Sequence, residues 1–186
     1  MYEVEVKARL RDKAKTKKKL ESLGCKFSSE LHQVDRVFIP NGFPFPEPLG
    51  TPVLRVRKQN DRFLFTLKIT QTGRLDCIER ELEIKDGNMM IEIINLLKFY
   101  EVPTVDKKRI KTNLKGVEIV LDTVKHLGNF IEAEKIVTTE NSKERKKIQQ
   151  KLYTLLTTFG IAKEDVIIDG KYTYMLAKKL EKKKKK

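Results

Sequence analysis

The sequence predicts a single α+β domain in which about eight strands close into a barrel with helices packed outside. Three observations support this fold class. Eight segments alternate apolar and polar residues with the period of two that is typical of strands. Four other segments place apolar residues at helical spacing. The apolar stripes of the helices must be buried, and the apolar faces of the strands are the available surface.

The predicted strands follow one another along most of the chain. Asn60-Asp61 forms a short turn between the third and fourth strands, and Leu114-Lys115-Gly116 lies between the sixth and seventh, so both pairs are predicted to be antiparallel hairpins. The strands are predicted near residues 2–9, 33–39, 53–59, 62–70, 76–84, 104–112, 116–124 and 129–138.

The helical patterns lie between and after these strands. The first helix has Asp12 as its N-cap and Gly24 as its C-terminal stop. The connection 38–52 is rich in proline and is predicted to be irregular. The helices are predicted at residues 12–23, 87–100, 142–159 and 171–181.

The composition is that of a basic protein, with a formal net charge of +14. Part of this charge is the lysine run 182–186, which we expect to be a disordered tail after a domain spanning residues 1–181. No stretch approaches the roughly 18 apolar residues that span a bilayer, and the start lacks the apolar centre of a secretory signal. We therefore expect a cytoplasmic protein that does not use a membrane.

Cysteine and histidine are scarce. Cys25 and Cys77 lie far apart with no CxxC partner, so we expect two reduced thiols and neither a disulfide framework nor a zinc site. Only His32 and His126 are present. Any metal is therefore expected to be a hard cation held by carboxylates.

The polar faces of the predicted strands carry an unusual amount of charge. In the first strand Glu3, Glu5 and Lys7 share one face, and Val4 and Val6 share the other. For any one strand the simplest interpretation is a solvent-exposed face. If helices cover the outside of the barrel, however, the charged faces point inward. The other strands continue the pattern with Arg55 and Arg57, with Lys68, with Glu79, Glu81 and Glu83, with Lys107 and Arg109, with Glu118 and Asp122, and with Glu132 and Glu134.

A barrel interior that contains many carboxylates and many cations is costly unless its charges are paired or a ligand fills it. The matching ligand is a compact polyanion with divalent cations. Lysine and arginine side chains bind phosphate oxygens directly, and carboxylates bind Mg²⁺ or Mn²⁺ that bridges to other phosphate oxygens. The charged faces therefore predict a triphosphate substrate.

The order of these motifs resembles the CYTH superfamily, the triphosphate tunnel metalloenzymes, over residues 3 to about 176. Glu3-Val4-Glu5-Val6-Lys7 is similar to the ExExK signature of that family. The later motifs occur in the family's order, and they are Leu54-Arg55-Val56-Arg57, Thr66-Leu67-Lys68, Glu79-Arg80-Glu81-Leu82-Glu83, Lys107-Lys108-Arg109, Glu118-Ile119-Val120-Leu121-Asp122, Leu127-Gly128-Asn129-Phe130-Ile131-Glu132-Ala133-Glu134 and Lys171-Tyr172-Thr173-Tyr174-Met175-Leu176.

The resemblance implies an eight-stranded antiparallel β-barrel with the triphosphate inside, and it is nearest to the class IV adenylyl cyclase and thiamine triphosphatase branch. It assigns two sets of residues. The phosphate ligands would be Lys7, Arg55, Arg57, Lys68, Lys107 and Arg109. The Mg²⁺ or Mn²⁺ ligands would be Glu3, Glu5, Glu81, Glu83, Asp122, Glu132 and Glu134.

One departure from the family pattern concerns the second strand, which often resembles QxDxYF. This chain has Gln33-Val34-Asp35-Arg36-Val37-Phe38, so Val37 stands where a tyrosine is usual. In thiamine triphosphatases that tyrosine is thought to pair with a lysine in catalysis. Its absence weakens the thiamine triphosphate alternative without excluding it.

The primary hypothesis is an adenylyl cyclase in which the ribose 3′ hydroxyl of ATP attacks the α-phosphorus and pyrophosphate leaves. Glu5 and Glu132 are expected to hold the catalytic cation, with help from Asp122 and Glu134. The charge on the leaving phosphates would be offset by Arg57, Lys68 and Arg109. The shortage of histidine fits a metal-activated nucleophile.

Two alternatives remain open at this point. A phosphohydrolase would use the same residues to cleave inorganic triphosphate, a nucleoside triphosphate or thiamine triphosphate. A non-catalytic protein that binds polyphosphate or RNA 5′ ends is the third hypothesis, but the strands lack the interleaved aromatic residues of base-stacking surfaces, which disfavours nucleic acid. A homodimer is an option by analogy with the cyclase branch alone.

Overall fold

The computed structural model describes residues 1–73, 75–167 and 171–184 of the chain. Nine strands and four α-helices are described, together with a short 3-10 helix at Lys163–Asp165. The strands are β1 (Tyr2–Arg9), β2 (Leu31–Pro40), β3 (Pro52–Gln59), β4 (Arg62–Gly73), β5 (Asp76–Ile84), β6 (Phe99–Leu114), β7 (Val117–Val124), β8 (Gly128–Val137) and β9 (Val166–Ile167). The helices are α1 (Lys13–Ser22), α2 (Gly87–Leu96), α3 (Ser142–Thr157) and α4 (Tyr172–Lys184).

Strands β1 to β8 form a closed antiparallel barrel. Their order is β5-β4-β3-β2-β6-β7-β8-β1, and β1 pairs with β5 to close it. Strand β9 adds two residues to β1 outside this ring, through the pairs Lys7↔Ile167 and Ala8↔Val166. The predicted α+β fold with an eight-stranded barrel and helices outside is confirmed.

The main core lies outside the barrel, between its wall and the helices. Val4 and Val6 of β1 are buried with Leu20 of α1 and Leu152 and Leu156 of α3. Helix α2 covers a second outer cluster formed by β2, β3 and β4, with Phe38, Val56 and Ile94 buried in it. Because successive side chains of a strand alternate between faces, this outer burial directs the charged alternate residues into the lumen.

The elements differ from the sequence prediction mainly at their ends. Helix α2 ends at Leu96 and not at residue 100, because Lys98 adopts a positive φ of 64° and Phe99 already pairs with Pro40 of β2. Strand β6 is consequently longer than predicted. Strand β9 was not predicted, since two residues are too few to show a periodic pattern.

The C-terminal helix α4 extends into the lysine run and is described as far as Lys184. The last two residues of the predicted disordered tail, 185 and 186, lie outside the described residues, and the boundary at residue 181 stays a prediction. None of the described helices combines the length and the apolar character needed to cross a bilayer.

Candidate active site in the barrel lumen

The lumen of the barrel encloses a cavity of about 530 Å³. Most of the residues predicted to form the site line it, and they come from every strand of the barrel except β2 and β7. These residues are Glu3, Glu5, Lys7, Arg55, Arg57, Lys68, Glu81, Lys107, Arg109, Glu132 and Glu134. The inward direction of the charged strand faces is therefore a property of the fold.

Helix α4 covers one end of the cavity, where Tyr172 packs with Val105, Val124 and Phe130, and the residues that line the opposite, open end are partly or largely exposed. We call the buried charged group beneath this helix the floor, formed by Lys7, Asp35, Arg57, Lys107, Arg109, Asp122 and Glu132, which are all at most 7% exposed. We call the open end the rim, formed by the partly or largely exposed residues Met1, Glu81, Lys111, Glu118 and Ile136.

Arg109 is the most heavily bonded cation of the floor. Its Nε and Nη2 donate to the two carboxylate oxygens of Asp122 at 2.7 and 2.6 Å, and Nη2 also donates to Glu132 at 2.7 Å. The two strands meet directly, because Arg109 of β6 pairs with Asp122 of β7 in the sheet register. This two-point geometry fixes the guanidinium plane inside the lumen.

Helix α4 contributes one polar group to the floor. The hydroxyl of Tyr172 lies 3.0 Å from Asp122 and 2.8 Å from Glu132, and the ring lies 4.2 Å from the Lys7 ammonium. Burial, together with the negative charges of Glu132 and Asp122, raises the pKa of Tyr172 well above its ordinary value. The phenol is therefore protonated and donates to these carboxylates.

Two further ion pairs complete the floor. Arg57 donates to both oxygens of Asp35 at 2.6 and 2.9 Å, and Lys7 lies 2.9 Å from Glu132. Lys107 lies farther from its carboxylate neighbours, 3.6 Å from Asp35 and 3.8 Å from Asp122. Its pKa is lowered to about 8, first by burial and then by the charge of Arg109. With these residues ionised, the floor contains more cations than carboxylates.

A second charged network lies on the wall formed by β1, β3, β4 and β5. Lys68 lies 2.7 Å from Glu3 and 2.5 Å from Glu79, and Arg55 contacts Glu79 at 3.2 Å and Glu81 at 3.0 Å. Burial opposes the charged form of Glu3, but Lys68 and the hydrogen bonds to Glu3 outweigh it and hold the pKa of Glu3 well below its ordinary value. The pKa of Glu79 is raised to about 7, chiefly by burial.

Three carboxylates converge between the floor and the rim. One oxygen from each of Glu3, Glu5 and Glu134 lies within 4.8 Å of the others. The pKa of Glu134 is raised to about 9, first by burial and then by the charge of Glu3 and a hydrogen bond with Glu118. Burial also raises the pKa of Glu5, against the opposing effect of Lys7. We call Glu3, Glu5 and Glu134 the carboxylate trio.

The carboxylate trio fits a hard divalent cation. All three ligands are oxygen donors, which Mg²⁺ and Mn²⁺ prefer. Crowding of these partly buried carboxylates disfavours the ionisation of Glu5 and Glu134, and a cation among the three would offset that repulsion. Glu3 is also near Cys77 and Glu79, but the Lys68 ammonium contacts both Glu3 and Glu79, so this second group already has its positive charge.

The other predicted metal ligands lie elsewhere. Asp122 and Glu132 are in the floor, where Arg109 and Tyr172 contact both of them. The Lys7 ammonium lies 3.7 Å from Glu5 and 2.9 Å from Glu132, and the pairing of Glu5 with Glu132 around one cation stays a prediction. Asp122 is fully buried behind Arg109 and does not line the cavity.

Glu81 and Glu83 are the outermost of the predicted residues. Glu81 contacts Arg55 at the rim. Glu83 does not line the cavity, and its carboxylate lies 3.5 Å from Arg62 with both side chains more than half exposed. The alternation of β5 predicts the correct face for Glu83, but it does not show that the strand extends past the end of the lumen.

Asp35 and Tyr172 lie at the floor but are not among the site residues predicted from the sequence. Asp35 belongs to the second-strand motif and has the same parity as Gln33, and both side chains are buried. The position of Tyr172 in the C-terminal motif is the signal that points to it. Glu79 lies on the predicted inward face of its strand but is not among the predicted ligands.

The fold and the site together define a class of protein, the closed antiparallel β-barrels whose charged lumen is the candidate active site. Within that class the chain belongs to the CYTH domain family, whose family model matches residues 1–170.

Known proteins resemble this chain over almost its whole length. The Methanocaldococcus jannaschii protein named “Putative adenylate cyclase MJ0240” is 31% identical over 169 residues, which are 90% of this chain and 94% of that protein. The solved structure of the PH1012 protein from Pyrococcus horikoshii OT3 is 32% identical, with a TM-score of 0.74 and coverage of 92% of this chain and 97% of that one. The PH1819 protein of the same organism is 27% identical, with a TM-score of 0.80 and coverage of 95% and 99%.

Proposed function

We propose that this protein is a divalent-metal-dependent adenylyl cyclase of the class IV type that converts ATP to cyclic AMP and pyrophosphate. The observation that carries the proposal is the order of charges along the lumen. The cation-rich floor lies at the closed end, and the carboxylate trio lies between that floor and the rim. Residence in the cytoplasm, where ATP is available, is part of the same proposal.

This order of charges favours one orientation of a nucleoside triphosphate. The β- and γ-phosphates carry most of the negative charge, so they would occupy the floor beside Lys7, Arg57, Lys107 and Arg109. The α-phosphate would then lie beside the carboxylate trio, and the ribose would lie on the rim side. That orientation brings the 3′ hydroxyl and the α-phosphorus to the same part of the lumen as Glu5.

The residues of the chain have separate roles in this mechanism. The 3′ oxygen forms a bond to the α-phosphorus while the bond from that phosphorus to the bridging oxygen breaks. The hydroxyl proton passes to a carboxylate oxygen of Glu5. The departing pyrophosphate stays bound to the floor cations, which offset its charge.

Glu3, Glu5 and Glu134 are the residues that would hold Mg²⁺ or Mn²⁺. When bound, the cation supplies charge neutralisation of the phosphate oxygens and lowers the pKa of a coordinated hydroxyl. Lys68 and Arg55 lie on the adjacent wall and would contact the non-bridging oxygens nearest the trio. The name of the M. jannaschii relative supports this proposal, since that protein is called an adenylate cyclase on a provisional basis.

A triphosphate phosphohydrolase is the second candidate, and Lys107 favours it. With a pKa of about 8, a fraction of this ammonium is neutral near neutral pH, and the amine can accept a proton from water beside the terminal phosphate. A hydrolase of this kind would be more active as the pH rises through about 8, and replacement of Lys107 by Arg would remove that dependence. Glu5 would have no role as the base in this reaction.

The test is to incubate the purified chain with Mg²⁺ or Mn²⁺ and, separately, with ATP, thiamine triphosphate and inorganic tripolyphosphate, and to identify the products by chromatography. Cyclic AMP with pyrophosphate supports the cyclase. Orthophosphate without a cyclic nucleotide contradicts it and supports the hydrolase. Tight binding of all three triphosphates without turnover would support the third hypothesis, a non-catalytic protein that binds polyphosphate or RNA 5′ ends. Because α4 covers the floor, only the end of such a polymer could enter the lumen.

A further inference from the structure

The rim contains an apolar side chain that the triphosphate chemistry does not use. On the inward face of β8, Glu132 and Glu134 are followed by Ile136, which lines the cavity and is 64% exposed. In the sheet register Ile136 lies directly opposite Glu3, a member of the carboxylate trio. An exposed branched aliphatic residue therefore stands beside the candidate metal ligands, at the open end of the lumen.

A second exposed apolar residue, Met1, lines the same end of the cavity. Met1 precedes Glu3 by two positions on the same strand face, lines the same cavity and is 66% exposed. Its carbonyl accepts a hydrogen bond at 3.3 Å from Arg80, which ties the backbone of Met1 to β5. Met1 and Ile136 thus form an apolar patch at the rim of an otherwise charged lumen.

We propose that this apolar patch binds the base of a nucleoside triphosphate and makes the protein select organic triphosphates over inorganic tripolyphosphate. The inference rests on the proposed binding of the phosphates in the floor. The floor is closed by α4, so any group attached to the α-phosphate must extend toward the rim. The face of a planar base buries apolar area against Ile136 and Met1, whereas inorganic tripolyphosphate has nothing to place there.

The chemistry of the patch also sets the kind of selectivity. Aliphatic contacts are non-directional, and they do not read the hydrogen-bonding edge of a base. The patch therefore favours a triphosphate with a ring over one without a ring, and it discriminates only weakly between ATP and GTP. Selection among bases would need polar groups, and the polar residues of the rim are Glu81, Lys111 and Glu118.

The experiment compares Ile136→Asn with a matched control, Leu82→Asn. Leu82 is also an exposed aliphatic residue of the barrel, with 54% exposure, but it lies on the outward face of β5 and does not line the cavity. Dissociation constants are measured by isothermal titration calorimetry without divalent cation, so that metal-dependent hydrolysis cannot occur, for 3′-deoxy-ATP, which also cannot cyclise, for 3′-deoxy-GTP and for inorganic tripolyphosphate.

We expect Ile136→Asn to weaken the binding of both nucleotides on the order of fivefold, which is the effect of losing partial burial of one aliphatic side chain. The affinity for tripolyphosphate should be unchanged. Ile136→Val should keep most of the nucleotide affinity, and Leu82→Asn should change none of the three constants. The inference would be overturned if Ile136→Asn weakened the binding of all three ligands equally or weakened the binding of neither nucleotide. It would also be overturned if the wild-type chain bound no nucleotide.

Failure of the inference is distinguishable from failure of the proposed cyclase. The calorimetry requires no turnover, so the expected pattern can hold in a protein that yields orthophosphate from ATP. Conversely, the wild-type chain could form cyclic AMP while Ile136→Asn kept its nucleotide affinity. That result would support the proposed cyclase activity and contradict the proposed role of the apolar patch in binding the base.

Discussion

The hydroxyl of Tyr172 lies 2.8 Å from the carboxylate of Glu132, which joins the C-terminal helix to the inner wall of the barrel. The same hydroxyl contacts Asp122 at 3.0 Å, and both carboxylates are buried. A single side chain of α4 therefore contacts two buried carboxylates of the lumen.

Removal of this hydroxyl should destabilise the protein. We expect Tyr172→Phe to lower the free energy of unfolding by about 1–3 kcal/mol, because two buried carboxylates lose a donor. Urea denaturation followed by circular dichroism measures the change. Tyr153→Phe in α3 is the control, since that ring packs against the outer core. Equal stability of Tyr172→Phe and the wild-type chain would show that the hydroxyl adds nothing to the floor.

Replacement of Arg109 by lysine should separate charge from geometry. The lysine keeps the positive charge but cannot donate simultaneously to both oxygens of Asp122 and to Glu132 as Arg109 does. We expect turnover of the preferred triphosphate to fall at least about tenfold, the loss typical of removing an oriented cation from a charge-stabilising site. Lys108→Arg, on the exposed outward face of β6, is the control. If Arg109→Lys kept the wild-type kcat and KM, the two-point hydrogen bonding of Arg109 to Asp122 would have no role in turnover.

The carboxylate trio should determine the metal requirement. We expect Glu5→Gln and Glu134→Gln to raise the Mg²⁺ or Mn²⁺ concentration that gives half-maximal activity by about tenfold or more, because each removes an anionic oxygen ligand. Glu83→Gln should leave that concentration unchanged, since Glu83 is exposed and paired with Arg62 outside the cavity. A metal requirement that shifts in Glu83→Gln and not in Glu5→Gln would place the cation elsewhere.

Metal binding should release a proton at neutral pH. Glu134 has a pKa raised from 4.5 to about 9, so in the folded protein without a cation it is protonated between those values, whereas in the unfolded chain it is ionised. Its contribution to stability therefore falls as the pH rises from 4.5 to 9, and a cation must displace the proton to bind. Metal affinity should rise with pH, by at most about tenfold per pH unit for this one proton, and level off above about 9.

The measurement is calorimetry of Mn²⁺ binding at pH 7.5 in two buffers with different ionisation enthalpies. The observed heat should differ between the buffers by an amount that corresponds to an uptake of about one proton by the buffer. Glu134→Gln should abolish the difference. Identical heats in the two buffers for the wild-type chain would show that Glu134 is already ionised before the metal binds.

The alternation of residues along each strand separates its charged face from its apolar face. Side chains alternate strictly along a strand, so the apolar partners Val4 and Val6 assign Glu3, Glu5 and Lys7 to the opposite face without any knowledge of the neighbouring strands. The resemblance of the motifs then identified the family. Eight strands, their approximate bounds and nearly all of the cavity-lining charges could be predicted in this way.

The depth of each charge in the lumen and the partner of each charge follow from contacts between strands and cannot be inferred from alternation. The parity of β5 is the same for Glu79 and Glu83, yet Glu79 contacts Lys68 inside the cavity and Glu83 contacts Arg62 outside it. The parity of β8 is the same for Glu132, Glu134 and Ile136, but these residues lie in the floor, the carboxylate trio and the rim. Depth and pairing depend on strand register, barrel closure and the docking of α4 by Tyr172, which are contacts between residues far apart in the chain and therefore leave no local pattern in the sequence.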